Sequence, residues 1–299
     1  MAVTPKPSSG AVVVLGTGAM APEIAVATAS AGLPTLIAGR DADRAEAAAS
    51  WARGFAGTRV DAASIDPDAF SGAGVVIESI VEDAGDKRDL LSRIEPWCPD
   101  QAVIATNTSS LTIAELALAL RRPERFAGLH FLKPAHLTGV VEVIPGPATG
   151  AETVVTLRAL AAAIGKAPLT VRRDVPGFIW NRIQFAVLRE CLHMLDEGIA
   201  DAADIDAAVA DGLAPRWVAA GPLATADLGG IGTFRRVCEQ LFPHLASGPD
   251  VPDEMPRREA SGEPFALWTR ADPEAVAALR AHALEAGRRV AAERRALGG

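Results

Sequence analysis

A histidine and a glutamate lie in two neighbouring strand-like runs of the sequence. His130 belongs to RFAGLHF and Glu142 to GVVEVI, and the turn-prone segment KPAHLT separates the two runs. Two strands joined by a turn can bring residues 130 and 142 side by side. A carboxylate bonded to one imidazole nitrogen fixes the tautomer of the ring and stabilises its protonated form. The pair is therefore a candidate for moving a proton to and from a substrate hydroxyl group.

A second chemical motif follows the first β-branched run, AVVVL at residues 11–15. Gly16-Thr17-Gly18-Ala19-Met20-Ala21 fits the dinucleotide-binding pattern G-x-G-x-x-A, in which the first glycine makes the turn and the second lets a pyrophosphate approach the backbone. The N-terminus of the following helix would hold the anion with its amides. A structural turn in another α/β fold is the alternative, but the strand before the motif and the helix after it favour cofactor binding by Gly16, Gly18, Ala19 and Met20.

The end of the second strand-like run bears on the choice of cofactor. NAD-preferring sites place an acidic residue there for the ribose 2′-hydroxyl, whereas this chain has Ala38-Gly39-Arg40. An arginine suits a 2′-phosphate, and an acidic residue would repel it. The sequence therefore favours NADP(H) over NAD(H), with Gly39 and Arg40 in the cofactor site. The alternative is that Asp41 takes the acidic role and that Arg40 is only solvated.

Strands alternate with helices through the first half of the chain. This alternation predicts a parallel sheet with right-handed crossovers, that is, an α/β fold with a Rossmann-type doubly wound sheet over residues 11–174, after a flexible tail of residues 1–10. The runs around His130 and Glu142, together with PLTVRR, are predicted to be the outer strands. The remaining elements predicted here are strands at 34–38, 75–77 and 102–105 and helices at 21–31 and 41–53.

After Asp174 the strand-like runs stop, and residues 175–299 are predicted to form an all-α domain. Residues 176–197 read as one long helix with Asp174 as its N-cap and Gly198 past its end. Its apolar residues cover too wide an arc for a surface helix, so at least two faces are expected to be buried, within the domain or in a homodimer. The further predictions are helices at 203–211, 224–244 and from Asp272-Pro273 onward, and a mobile loop from Ser247 to Glu263.

Composition narrows the classes of function. The chain has 299 residues, 49% hydrophobic content and a net charge of −8, which fits roughly two domains. No basic run is present, so neither nucleic acid nor an anionic membrane is expected as a partner. The three cysteines are far apart and no signal peptide or long apolar run occurs, which predicts a cytoplasmic protein without a metal site. A small-molecule substrate is the expectation.

Six separated segments agree in order and spacing with one family: VIESIVED, ATNTSSL, RFAGLHFLKP, VVEVIPG, DVPGFIWNR and GPLATADLGG. Over about residues 11 to 235 the chain resembles the L-3-hydroxyacyl-CoA dehydrogenase family, including its gulonate- and carnitine-dehydrogenase-like relatives. The resemblance implies a nicotinamide-dependent enzyme that interconverts 3-hydroxy and 3-oxo compounds, with His130 as acid/base and Glu142 as its partner. It implies that Ser109 and Asn181 hold the reacting oxygen and the nicotinamide region. The family positions along the cofactor are matched by Glu82, Lys87 and Asn107.

Two of these assignments have structural alternatives. In the alternative for Ser109, its whole role is to cap a helix that begins at Leu111. Asn181 falls within the long predicted helix, where asparagine is not favoured, and this favours a functional reason for its presence.

The chain departs from the family pattern where substrates are recognised. Lys133 replaces the asparagine of the family's HFFNP segment, and it could bind a substrate carboxylate, polarise a carbonyl oxygen or face solvent. The lysine-bearing arm typical of members that use CoA thioesters is missing, since residues 41–58 form one short helix without lysine. Arg216 could clamp a carboxylate. These features favour a free 3-hydroxy acid or its 3-oxo form.

Two other functions remain open at this point. The first is the same hydride chemistry on a CoA- or carrier-protein-bound acyl group. The second is a catalytically silent, crystallin-like binding protein, favoured only by Lys133 and by SGEPFALW in place of the family's K-T-G-x-G-F-Y segment.

Overall fold

A computed structural model describes residues 10–55, 59–265 and 272–298 of the chain. The chain divides between Asn181 and Arg182 into two compact units, whereas the sequence placed the boundary at 174/175. The predicted tail of residues 1–10 lies, except for Gly10, outside the described residues. No helix in the described ranges combines the length and apolar character that crossing a membrane requires.

The first unit is built on an eight-stranded sheet with the order β3-β2-β1-β4-β5-β6-β7-β8. Neighbouring strands run parallel except for the antiparallel pair β6 and β7. The strands are β1 Ala11–Leu15, β2 Thr35–Gly39, β3 Val60–Ser64, β4 Ala73–Glu78, β5 Val103–Thr106, β6 Phe126–Phe131, β7 Val140–Pro145 and β8 Ala167–Thr170.

Helices cover both faces of this sheet, which confirms the predicted doubly wound fold. Successive residues of β1 point to opposite faces, so Val12 and Val14 join one buried cluster while Val13 and Leu15 join the other. The first cluster includes residues of α1 Met20–Ser30, α2 Ala42–Arg53 and α5 Ala151–Ala163. The second includes residues of α3 Ala84–Ile94 and α4 Ile113–Ala117.

Strand β3 was not predicted. It lies at the edge of the sheet, and β2 is its one partner among the residues that the structure describes. Its sequence Val60-Asp61-Ala62-Ala63-Ser64 therefore needs no continuous apolar run. Only Val60 in this strand is buried. The hydrophobic pattern that marks the central strands is therefore absent here.

The second unit is all-α, as predicted. Its helices are α6 Trp180–Asp196, which begins just before the boundary, α7 Ala202–Ala207, α8 Ala214–Ala219, α9 Pro222–Gly229, α10 Ile231–Leu241, α11 Glu254–Ser261 and α12 Pro273–Gly298. Helix α11 lies inside the segment 247–263, so the prediction of a loop over that whole segment was wrong. The predicted helix 224–244 is interrupted at Gly230, whose φ of 87° is a glycine conformation.

Helix α6 begins later than the sequence pattern indicated. Gly177 and Phe178 have φ values of 77° and 48°, which end any right-handed helix before residue 180. Asp174 is therefore not the N-cap of α6, and its Oδ2 instead accepts a hydrogen bond of 2.7 Å from the amide of Ala114. Only Leu192 of α6 is buried in the single chain, so the burial of two faces remains a prediction that depends on a homodimer.

Candidate active site

The two outer strands β6 and β7 place His130 opposite Glu142 in their antiparallel register. Nδ1 of His130 lies 2.6 Å from Oε2 of Glu142. Both residues are buried, with exposed fractions of 3% and 0%. The structure thus brings together the two residues that the sequence proposed as a proton-transfer pair, although sequence separation alone left their register open.

The turn before α6 holds the second oxygen of Glu142. Oε1 accepts hydrogen bonds from the amides of Ile179 and Trp180 at 2.8 and 2.9 Å. These amides point at the carboxylate because Gly177 and Phe178 adopt left-handed conformations, which costs about 1–3 kcal/mol for a residue such as phenylalanine. The buried ring of Phe178 also lies 5.7 Å from the ring of His130, measured between centroids. The strained turn therefore orients both members of the pair.

These contacts decide the charge of Glu142. Burial acts to raise its pKa, but the hydrogen bonds from His130 and from the amides of Trp180 and Ile179 outweigh burial and lower the pKa below its usual value. Glu142 is therefore a carboxylate at neutral pH. An ionised carboxylate requires the proton of the shared hydrogen bond on Nδ1 of His130, which leaves Nε2 of the neutral ring free to accept a proton.

Ser109, Asn181 and Asn107 join the segments around this pair. Nδ2 of Asn181 donates to the backbone oxygen of Ser109 at 3.2 Å. Oδ1 of Asn107 accepts the amide of Phe131, the neighbour of His130, at 2.7 Å. The helix cap is Thr112, whose Oγ1 accepts the amide of Glu115, so the alternative in which Ser109 only caps this helix was wrong.

A cavity of about 830 Å³ opens next to the ends of β1, β2, β4 and β5. The carboxyl edge of a doubly wound sheet is where such folds bind nucleotides. Its lining contains eight of the predicted cofactor residues, namely Gly16, Gly18, Ala19, Met20, Gly39, Arg40, Glu82 and Asn107, and also Ser109.

The glycine-rich turn fits the pyrophosphate of a dinucleotide. Gly16 has a φ of 123°, and a Cβ there would lie 2.4 Å from the backbone oxygen of Ser79, so this glycine serves the fold. A Cβ on Gly18 would meet no protein atom within 4 Å, which leaves space on the cavity side. Ala19 precedes α1 and offers no side-chain cap to the helix amides. Free amides and open space are what an anion at a helix N-terminus requires.

Replacing Gly18 with valine is expected to weaken cofactor binding by about 10²-fold, or about 2.7 kcal/mol, while leaving the fold intact. The added side chain would occupy the space left for the pyrophosphate. Gly72→Val is the matched control, because a Cβ there also meets no atom within 4 Å and Gly72 does not line the cavity. Fluorescence titration with NADH and thermal unfolding measure the two effects. Equal cofactor affinity in both variants would contradict the assignment.

The end of the cavity next to β2 is where the adenosine of a dinucleotide is expected. It carries more charge than the sequence Ala38-Gly39-Arg40 indicated. Arg40 is exposed and lines the cavity together with Arg44 and Arg93, neither of which was predicted because they come from the separate helices α2 and α3. Asp41 also lines this end, and its Oδ1 accepts the amide of Arg44 at 3.0 Å as the N-cap of α2.

Lys87 does not line the cavity, although the resemblance placed it along the cofactor. Its side chain is 1% exposed, and its Nζ lies 2.7 Å from Oε1 of Glu78 and 3.3 Å from Oε2 of Glu82. Glu78 is fully buried and was not predicted as a site residue. An acidic residue at the end of an apolar buried strand, nine positions before a lysine, was the signal available in the sequence.

The two cationic residues proposed for substrate recognition lie in different units. Lys133 follows β6 and is exposed, which leaves open both of the roles considered above, binding a substrate and facing solvent. Arg216 belongs to α8 of the second unit.

Comparisons with known proteins agree with this geometry. Residues 11–175 match the NAD binding domain of 3-hydroxyacyl-CoA dehydrogenase, and residues 177–260 match the C-terminal domain of the same family. The chain is 34% identical to 5-formyl-3-hydroxy-2-methylpyridine 4-carboxylate 5-dehydrogenase of Mesorhizobium japonicum, over 75% of this chain and 74% of that protein. It is 36% identical to L-carnitine dehydrogenase of Streptomyces griseus, over 66% of this chain and 59% of that protein.

A solved structure extends the similarity to nearly the whole chain. The crystal structure of a 5-formyl-3-hydroxy-2-methylpyridine 4-carboxylic acid 5-dehydrogenase, described as an NAD⁺-dependent dismutase, matches with a TM-score of 0.82 and 30% identity. The match covers 96% of this chain and 98% of that one. The chain therefore belongs to the 3-hydroxyacyl-CoA dehydrogenase family of NAD-dependent oxidoreductases.

Proposed function

We propose that the chain interconverts a small 3-hydroxy acid and the corresponding 3-oxo acid, with His130 and Glu142 as the pair that moves the hydroxyl proton. The observation that carries the proposal is the buried contact of 2.6 Å between these two side chains, with Glu142 held by two backbone amides. A carboxylate fixed in this way keeps one nitrogen of the ring protonated and leaves the other as a base.

The nicotinamide, when bound, takes up or returns the hydride carried by the substrate carbon. Nε2 of His130 accepts the hydroxyl proton in the oxidation direction and donates it in the reduction direction. Glu142 stabilises the imidazolium that forms. Ser109 and Asn181, which are linked through the backbone oxygen of Ser109, are proposed to hold the reacting oxygen.

Three observations favour a free acid as the substrate. Helix α2 connects β2 to β3 and contains no lysine, so the chain lacks the lysine-bearing arm typical of members that use CoA thioesters. Lys133 is exposed just past the strand that carries His130, where an ammonium group can meet a carboxylate. The relative from Mesorhizobium japonicum is named for a pyridine carboxylate. Arg216 is a second candidate for binding the carboxylate.

A CoA thioester is the second candidate substrate, because the family whose profile matches both parts of the chain is named for it. The catalytically silent alternative is disfavoured, since such a protein has no need for a paired His130 and Glu142 beside a dinucleotide-sized cavity.

A substrate comparison tests the proposal. Purified protein is supplied with NAD⁺ and, in turn, 3-hydroxybutyrate, carnitine, hydroxymethylpyridine carboxylates and 3-hydroxybutyryl-CoA, and formation of NADH is followed by absorbance. We expect a higher kcat/KM on at least one free acid than on the thioester. Lys133→Ala is expected to raise KM for the acid about tenfold, and Lys133→Arg to restore most of it. Turnover of the thioester alone would overturn the choice of substrate.

We infer that Arg40 also admits the 2′-phosphate of NADP(H). Its guanidinium is exposed at the cavity, and Arg44 and Arg93 add two further cations to the same lining. Both features favour an additional phosphate. The NAD⁺-dependence stated for the structural relative argues for NAD(H) as the main cofactor.

Replacing Arg40 with alanine is expected to weaken NADPH binding about tenfold and to leave NADH binding within about twofold. Fluorescence titration with each reduced cofactor provides the comparison. If the variant binds NADPH as tightly as the parent does, Arg40 is only solvated and the preference belongs to NAD(H).

We propose that the chain forms a homodimer through its helical unit. Buried side chains in the described part of residues 182–299 are limited to Leu192, Ile205 and Glu254, so this unit has almost no core of its own. Large apolar side chains are instead half or more exposed, among them Ile183, Phe185, Leu223, Leu228, Ile231 and Phe242. Apolar surface of this extent favours a second copy as the partner.

Light scattering is expected to give the mass of a dimer at micromolar concentration. Phe185→Glu should shift the protein toward the monomer, because a buried carboxylate in an apolar interface is strongly unfavourable. Leu118→Glu is the control, since Leu118 is 80% exposed in the first unit. A monomeric parent protein would sink this proposal.

A further inference from the structure

Three charged side chains form a chain of contacts beneath the cavity. Lys87 is the centre, with its Nζ 2.7 Å from Glu78 and 3.3 Å from Glu82. The side chains of Lys87 and Glu78 are 1% and 0% exposed, whereas that of Glu82 is 35% exposed and lines the cavity. One lysine between two carboxylates leaves one negative charge in excess. The carboxylate next to the cavity is that of Glu82.

Both carboxylates bond to the same stretch of backbone, residues 106–110. Oε1 of Glu82 accepts the hydroxyl of Thr108 at 2.7 Å and the amides of Ser109 and Ser110 at 2.7 and 2.8 Å. On the other side of Lys87, Oε2 of Glu78 accepts the hydroxyl of Thr106 at 2.6 Å. The segment that carries Ser109 is thus held at one end by Glu78 and at the other by Glu82, and Lys87 joins these two carboxylates.

We propose that Glu82 is a positioning residue that holds Ser109 in place for the reaction, with Lys87 and Glu78 as its buried support. The inference deepens the function proposed above, since it rests on Ser109 contacting the reacting oxygen. It differs from the role implied by the resemblance, in which Glu82 and Lys87 contact the cofactor.

The negative charge of Glu82 strengthens the hydrogen bonds that it accepts. Burial acts to raise the pKa of Glu82, but the hydroxyl of Thr108, the charge of Lys87 and the amides of Ser109 and Ser110 outweigh burial and lower the pKa to about 2. Glu82 therefore remains ionised throughout the pH range of ordinary assays. Hydrogen bonds to an ionised acceptor are about twice as strong as neutral ones, so glutamine would hold the two amides more weakly.

Hydrogen exchange on the protein without substrate tests the contact directly. Glu82→Gln is expected to increase amide exchange in residues 108–111 at least tenfold. Glu95→Gln is the matched control, because Glu95 likewise accepts two backbone amides, those of Arg121 and Arg122 at 2.9 Å, but it does not line the cavity. That control should increase exchange only around residues 121–122 and leave kcat within twofold of the parent.

A double-mutant cycle tests the connection to catalysis. Glu82→Gln and Ser109→Ala are each expected to lower kcat at least tenfold, and the double variant should be no slower than Ser109→Ala alone. The Kd for NAD⁺, measured by titration, should change less than threefold in Glu82→Gln. The positioning role would be overturned if the losses of kcat in the two single variants multiplied in the double variant. A large rise in the Kd for NAD⁺, or unchanged amide exchange at residues 108–111 in Glu82→Gln, would overturn it as well. If Ser109→Ala alone keeps full activity, the role proposed for Ser109 fails, even where the exchange result is as expected.

Discussion

Replacing His130 with alanine is expected to lower kcat by about 10²–10⁴, the range typical for loss of a general acid/base. The variant has no group on β6 that can take the hydroxyl proton, and Glu142, which is buried and bonded to two amides, cannot reach solvent to replace it. Cofactor affinity should change less than threefold, since His130 does not line the cavity. Steady-state kinetics and NADH titration measure the two quantities.

The control for this variant is His136→Ala. His136 lies in the same unit, near the rings of Trp51 and Phe55, and the proposed mechanism gives it no role. Its loss should leave kcat within a few-fold of the parent. If His130→Ala retained turnover within a few-fold as well, the catalytic assignment would be wrong.

Replacing Glu142 with glutamine is expected to cost a comparable 10²–10⁴ in kcat through a change of tautomer. The amide oxygen of glutamine can still accept the amides of Ile179 and Trp180, which places the NH₂ group against Nδ1 of His130. Nδ1 must then become the acceptor, so the proton moves to Nε2 and the base is lost. Nitrogen-15 chemical shifts of the imidazole distinguish the two tautomers directly.

The same variant has a predicted dependence of stability on pH. Because contacts lower the pKa of Glu142 in the folded state, its charge contributes stability above the unfolded-state pKa. That contribution disappears as the pH falls through the folded-state pKa. The difference in Tm between the parent and Glu142→Gln should therefore narrow as the pH falls below about 4.5. Over this range Glu142→Gln should lose less stability than the parent does. A constant difference down to acid pH would contradict the charged state assigned to Glu142.

The central part of the fold was predictable because its signals are local. Strands β1, β4 and β5 are buried on both faces, so each must be apolar except where β4 and β5 end, at Glu78 and Thr106. Gly16 must be a glycine where the backbone passes Ser79. The sites predicted from such signals, the glycine turn and the end of β2, lie on the cavity as expected.

The parts that were missed depend on contacts between distant segments. Helix α6 was predicted to start early because apolar residues continue through 175–179, but Glu142 on β7 needs the amides of Ile179 and Trp180, and the backbone turns to supply them. The dipeptide Pro176-Gly177 was a turn signal that the helical pattern concealed. Similarly, the link between Asp174 and Ala114 spans 60 positions, and no sequence pattern reveals such a contact.

The register of β6 and β7 has a consequence for how this enzyme can change. The proton-transfer pair is fixed by strand pairing and by the turn at Gly177. In the segment that connects the two strands, residues 132–139, Lys133 is exposed, whereas Leu132 and Ala135 are buried. The proposed catalytic pair and the residue proposed for recognition therefore belong to separate stretches of the sequence. Substitution of the exposed position 133, in evolution or in the laboratory, is therefore expected to change substrate preference while leaving the catalytic pair in place.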